Sequence, residues 1–251
     1  MIFDTLRQAI ATEQPAALAT VVAGEQLGAK LLIRPRSDPL GSLGDAGLDT
    51  QVVADALAML DAEQSSVRDY SIAAGAVSVL VESYPPPPHL LIVGAVHTAI
   101  PLSSCAKQLG FRVTVVDPRA AFATRERFPD ADELVIEWPD EALPSLRLDR
   151  STYVAVLTHD PKLDDPAVRI ALAYPVRYVG AIGSPKTQAA RRQALREAGL
   201  SDEVLAQIYG PIGLPLGSKT PAEIAISILA EMIAVRRGKI GELRVAGAVG
   251  R

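Results

Sequence analysis

An apolar strand that breaks on a glycine and hands over directly to a helix restricts this chain more than any other feature. The run His89-Leu90-Leu91-Ile92-Val93-Gly94-Ala95-Val96-His97-Thr98-Ala99 has that form. A glycine at such a point supplies a turn tight enough to bring backbone N–H groups to a ligand. Arg112-Val113-Thr114-Val115-Val116-Asp117 follows as a second apolar run and stops on a carboxylate. That is roughly 20 residues beyond the glycine turn, where dinucleotide-binding folds place the acid that grips a ribose. The fingerprint is incomplete. Val96 stands where the second glycine would let a pyrophosphate approach the backbone, while Ala99 is acceptable at the third position. A branched side chain at Val96 obstructs a bound diphosphate.

The alternation continues after this turn. Strands read at 89–94, 112–117, 133–137, 153–158 and 177–182, with helices running to 109, near 164–173 and near 186–198. Repeated β-then-α order predicts an α/β fold with a doubly wound, parallel, Rossmann-like sheet. Ligands of such sheets bind beyond the carboxyl ends of the strands at the switch in strand order, here between the first and fourth strands. The residues placed there are Gly94 and His97 on one side and Thr158, His159 and Asp160 on the other. Two imidazoles and a carboxylate can ligate a metal, move a proton or hydrogen-bond a polar heterocycle; equally, they can cap a helix and close a turn. Gly183, Ser184 and Lys186 end the fifth strand on the same rim, and a lysine beside free helix N–H groups suits an anion. The arginines of that helix, Arg191, Arg192 and Arg196, read as solvated. Thr220, Pro221 and Glu223 form a helix start with a capping box, which leaves Lys219 with an approach to a bound anion as its reason.

Four consecutive prolines, Pro85 to Pro88, offer no donors to a sheet and impose extended geometry. They divide the chain into a smaller N-terminal α/β domain at 1–84, a linker at 85–88, the Rossmann-like domain at 89–238 and a tail at 239–251. Within the first domain, Ala16 to Val22, Lys30 to Ile33 and Ala76 to Val81 read as strands and Thr50 to Gln64 as a helix. Between the second strand and the helix lies Gly41-Ser42-Leu43-Gly44-Asp45-Ala46-Gly47. Gly41 and Gly44 there serve either a plain turn or the close approach of a ligand.

With 251 residues, 49% of them hydrophobic and 22% charged, the chain can bury real cores. A net charge of −4 gives no general attraction to nucleic acid or an anionic membrane, and no apolar stretch is long enough to span a bilayer. The first residues lack a basic segment followed by an apolar one, so a cytoplasmic location is expected. One cysteine, Cys105, excludes an internal disulfide and a thiolate-cage metal site, and reads as core filling. Neither a nucleophile elbow nor a phosphate-binding P-loop is present.

Taken together, these segments resemble the XdhC/CoxI family, accessory proteins of xanthine dehydrogenase and related molybdenum hydroxylases. Gly94-Ala95-Val96-His97 is similar to the family's G-A-G-H turn, Leu157-Thr158-His159-Asp160 to its L-T-H-D motif, and Val113 to Arg119 to its second strand and loop. Ile182-Gly183-Ser184, Pro211 to Leu214, Thr220 to Ala225 and Val235 to Gly238 are similar to its C-terminal motifs. The resemblance implies an accessory protein rather than an enzyme. Such a chaperone binds the molybdenum cofactor, a molybdopterin, protects it while its terminal sulfur is installed, and delivers it to a molybdenum hydroxylase client. It further implies a homodimer and a cysteine desulfurase as a second partner. Two family cysteines are missing: one position is Gly47, and a cysteine-glycine-glycine segment is here Ala73-Ala74-Gly75-Ala76. Two alternatives stand beside this reading, an NAD(P)-dependent oxidoreductase using His97 or His159 for proton handling, and a regulatory partner that binds no ligand.

Overall fold

The computed structural model describes residues 2–73 and 75–243. Most of the expected tail, 244–251, and Ala74 of the second glycine segment lie outside these. The chain separates into two compact units, one ending at Pro86 and the other beginning at Pro87.

The first unit is built on a five-stranded antiparallel sheet with the order β3-β2-β1-β5-β4, comprising β1 (Ala16–Ala23), β2 (Lys30–Ile33), β3 (Leu40–Ser42), β4 (Ser66–Ile72) and β5 (Gly75–Tyr84). Side chains alternate between faces along a strand, and here both faces are covered. Ala17, Ala19, Val21, Leu31 and Ile33 meet Leu48, Val52, Ala56 and Met59 of α2 (Ala46–Asp61) on one side. Ala16, Leu18 and Leu32 meet Leu6 and Ala9 of α1 (Ile2–Ala11) on the other. That double cover explains why β1 is a continuous apolar run instead of an alternating one. The helix read as Thr50 to Gln64 begins earlier, because Asp45 caps it by accepting the Leu48 N–H at 2.8 Å.

The second unit carries six parallel strands: β6 (His89–Val93), β7 (Arg112–Val116), β8 (Glu133–Val135), β9 (Thr152–Val156), β10 (Tyr178–Ala181) and β11 (Ile208–Tyr209), in the order β11-β10-β9-β6-β7-β8. From β6 the chain winds outward through β7 and β8, then returns to β9 and winds the opposite way, so the order switches between β6 and β9. One face packs α3 (Ala99–Gln108) and α8 (Pro221–Arg236) against Leu90, Ile92, Val113, Val115, Tyr153 and Tyr178. The other packs α4 (Pro139–Ser145), α5 (Pro161–Ala171), α6 (Pro185–Glu197) and α7 (Asp202–Leu205) against Leu91, Val93, Val154, Val156 and Val179. Burial of the central strands on both sides accounts for their uninterrupted apolar runs. α8 starts where its sequence predicts, with Thr220 and Glu223 exchanging the two bonds of a capping box. Among the described residues no helix is long and apolar enough to cross a membrane.

Candidate functional site

β6 ends at Val93, and Gly94 follows with φ +106°. Its glycine is required twice over. The left-handed backbone disfavours any side chain, and a Cβ built there would sit 2.4 Å from Cγ2 of Thr158. The turn after β6 and the loop after β9 therefore touch, held in step by the Leu157 N–H bonded to the Val93 carbonyl at 2.9 Å. Gly94 donates to the Val116 carbonyl at 2.8 Å, and the next N–H, of Ala95, donates to Oδ2 of Asp117, also at 2.8 Å. The N–H groups of Val96, His97 and Thr98 then lead into α3, whose N-cap Thr98 makes no side-chain capping bond. His97 is exposed, while Val96 is half-buried against the core.

Asp117 is fully buried, and its carboxylate is already engaged. Oδ1 accepts the N–H and Nε of Arg119 at 2.9 and 2.8 Å, and Oδ2 accepts Nη2 of Arg119 at 2.7 Å in addition to Ala95. Burial alone would raise this carboxyl, but the bonds from Arg119 and Ala95 outweigh it and hold it below its ordinary value. The position read as a ribose-gripping acid thus presents a guanidinium, with the carboxylate behind it tying the end of β7 to the glycine turn.

On the other side of the switch, Oγ1 of Thr158 donates to Oδ1 of Asp164 at 2.6 Å and accepts the Asp160 N–H at 3.0 Å. His159 lies between them, exposed and with φ +64°, a conformation uncommon for a residue with a side chain. Asp160 caps α5 by accepting the Lys162 N–H at 3.0 Å, and its charge acts on Arg119, which places the two rims in electrostatic reach. Below the loop sits a buried network that residue type alone does not disclose. Arg191, with 4% of its side chain exposed, pairs with the wholly buried Asp164 at 2.9 Å and with Asp165 at 3.0 Å, and donates to the Ile182 carbonyl and to Gln188. Burial raises the Asp164 carboxyl against the Thr158 bond and the Arg191 charge. Far from being solvated, Arg191 clamps the loops after β9 and β10 together. Helical spacing could have revealed it, since Gln188, Arg191 and Leu195 share the inward face of α6.

Gly183, at φ +133°, approaches Thr187, and Ser184 caps α6 by accepting the Thr187 N–H at 3.2 Å. Lys186 stands exposed in the first turn of that helix. The remaining predicted residues are explained by local structure. The Lys219 N–H donates to Glu223 at 2.7 Å as part of the α8 cap, beside a depression of about 380 Å³ lined by Leu216, Gly217, Ser218, Ala222, Glu223 and Ile226. Gly41 lies within β3, where a Cβ would come 2.3 Å from the Lys30 carbonyl oxygen, and Gly44 faces Gln26. Close approach there is to Lys30 of β2 and to the Gln26 side chain, both of the same unit.

A family model described as the XdhC Rossmann domain matches residues 90–232, more than half of the chain. The chain belongs to the XdhC family. A second model, the XdhC and CoxI family, matches residues 9–71 of this XdhC protein. Among curated relatives, a Bacillus subtilis protein named as a probable xanthine dehydrogenase subunit is 30% identical over 160 residues, 64% of this chain and 46% of that protein. The Escherichia coli molybdenum cofactor insertion chaperone PaoD is 36% identical over 95 residues, 38% of this chain and 30% of its own length. An uncharacterised E. coli protein, YqeB, is 26% identical over 86% of this chain and 42% of its own. The XdhC chain thus spans less than half the length of these relatives. A crystal structure of a Bacillus halodurans protein described as a xanthine dehydrogenase shares the fold, with TM-score 0.55 and 21% identity over 95% of this chain and 96% of that one.

Proposed function

We propose that this chain is an accessory protein for a xanthine dehydrogenase-type molybdenum hydroxylase and holds the molybdenum cofactor in the cleft between the β6 and β9 turns. The relatives named as a cofactor insertion chaperone and as a xanthine dehydrogenase subunit support the role. The observation that carries the binding site is the direct packing of Gly94 on Thr158, which brings the two family turns to one strand-end rim.

The donors fit the organic part of the cofactor. His97 and His159 offer ring nitrogens that serve a polar pterin as donor or acceptor. Thr158 Oγ1, whose proton goes to Asp164, can serve it as an acceptor only, and the N–H groups beyond Ala95 and after Gly183, with Lys186, suit its phosphate. A metal ligand set is another matter: no group of three His, Cys, Asp or Glu residues capable of holding a metal ion occurs among the described residues. Cys105 lies in α3 beneath the core, half-buried. Retention therefore rests on hydrogen bonds and charge, and weakens as salt screens the exposed groups. The test is the full chain purified at low salt from a host that makes molybdopterin, assayed for bound pterin and molybdenum. Pterin is expected in the unaltered protein and is expected to fall at least tenfold when His159 and Asp160 are both changed to alanine. Both side chains are exposed, and losing the Asp160 cap on α5 costs about 1 kcal/mol, so an unchanged circular dichroism spectrum accompanies the comparison. A protein free of pterin and molybdenum that leaves client activation unchanged would reject the reading in favour of a partner that binds no ligand.

Two features weigh against the nicotinamide alternative. Val96 replaces the glycine that would let a pyrophosphate approach the backbone, and both carboxylate oxygens of Asp117 are already engaged by Arg119 and Ala95, which leaves no free edge for a ribose diol. Binding of NAD or NADP is expected to be weaker than millimolar by calorimetry, and Val96→Gly to tighten it about tenfold. Micromolar affinity in the unaltered chain would refute this.

A further inference from the structure

We infer that Arg119 is a phosphate-recognising residue of the strand-end cleft, selecting a ligand that carries a phosphate monoester. The inference rests on the cleft being the binding site. It adds that the position where a dinucleotide fold reads a neutral diol here reads a dianion.

Three observations fix the guanidinium. Asp117 grips one edge through Nε and Nη2, at 2.8 and 2.7 Å. The ring of Phe122 lies against it, with Cζ 4.6 Å from the ring centroid. Its distance from the glycine turn is bounded by a shared acceptor: Nη2 of Arg119 and the Ala95 N–H both bond Oδ2 of Asp117, so the cation stands within two hydrogen-bond lengths of the entry to α3. A half-exposed arginine normally loses considerable side-chain entropy on binding; this one has already lost it to its supports.

What remains available is the outer edge. A guanidinium has five N–H donors, and Asp117 takes one from Nε and one from Nη2. The Nη1 pair and the second Nη2 proton stay free of any protein acceptor among the described residues, on a side chain 42% exposed. Two adjacent nitrogens with outward protons match two oxygens of a phosphate. The local charge agrees. Arg127 lies over the same Phe122 ring at 5.6 Å and donates to the Phe122 carbonyl at 2.7 Å, so two cations share this ring, faced by the buried carboxylate of Asp117 and, from the opposite rim, by the exposed Asp160. The ring of Phe122 is the support that Arg119 and Arg127 share.

Calorimetry on the full chain decides the matter with two matched pairs of probes: a pterin monophosphate against its dephosphorylated form, and adenosine 2′-phosphate against adenosine. The phosphorylated member of at least one pair is expected to bind tenfold or more tighter, and the pair that shows it identifies whether pterin or nucleoside carries the phosphate. Arg119→Gln is expected to erase the preference while leaving the affinity for the dephosphorylated partner within about twofold. Should R119Q fail to fold, Phe122→Leu, which leaves the Asp117 fork but removes the ring, is expected to reduce the preference three- to fivefold. No preference for phosphate in the unaltered chain, or a preference unchanged in the folded variant, would overturn the inference. Because the probes contain no molybdenum, a negative result here leaves co-purification of the cofactor as a separate test of the proposed function.

Discussion

Arg191→Ala is expected to lower the stability of the chain by about 3–5 kcal/mol, measured by urea denaturation at pH 7. The magnitude follows from what would be left behind. Asp164 is wholly buried and Arg191 nearly so, and a carboxylate deprived of its buried cation carries the full cost of its lost hydration. The partners lost also include Asp165, the Ile182 carbonyl and Gln188, which join the loops after β9 and β10. A contrast separates the pair from simple loss of packing: R191M combined with Asp164→Asn is expected to be more stable than R191M alone, because the orphaned charge has gone. Loss of less than 1 kcal/mol in the single variant, or additivity in the double, would show that water reaches the pair.

How much of this network the sequence discloses depends on which signal carries it. The parallel sheet and its switch point are legible because strands buried on both faces must be continuously apolar, and β6, β7 and β9 are. β4 is not legible, since this edge strand buries only Tyr70 among Ser66–Ile72 and so shows no alternation. α1 escapes the same reading because ten residues with two buried side chains, Leu6 and Ala9, give a short pattern. The rim residues divide similarly. Gly94 can be placed from the strand-to-helix break, but its actual reason, contact with Thr158, is a tertiary fact. Asp117 stands out as a special carboxylate from its position; that it faces Arg119 and Ala95 depends on a rotamer no spacing rule encodes. For Arg191 the charge suggests solvent, while its register with Leu195 places it inside. Register outranks residue type at this position, because a buried cation is tolerated wherever carboxylates accompany it.

Acid weakens the fold through His89, and the effect is expected to begin well above the carboxylate range. This residue opens β6, with Nε2 2.9 Å from the hydroxyl of the fully buried Thr114. Burial pushes its imidazole down to about 4, helped by the charge of Arg112 and opposed by Asp149 and Asp132. An unfolded histidine titrates near 6.5, so between about pH 6.5 and pH 4 the unfolded chain takes up a proton that the folded chain refuses. Stability is then complete above about pH 6.5 and falls through that window by on the order of 3 kcal/mol. Asp164, with its carboxyl raised, works in the opposite sense; Asp117, Asp132 and Asp149, with theirs lowered, lose their contributions only at more acid pH. Urea midpoints measured from pH 7 to pH 4.5 should therefore decline in the unaltered chain. In His89→Gln the decline should vanish, whatever that variant's stability at pH 7, leaving only the opposing slope of Asp164. An identical decline in both proteins would assign the acid sensitivity to another group and leave the His89 imidazole open to protons in the folded state.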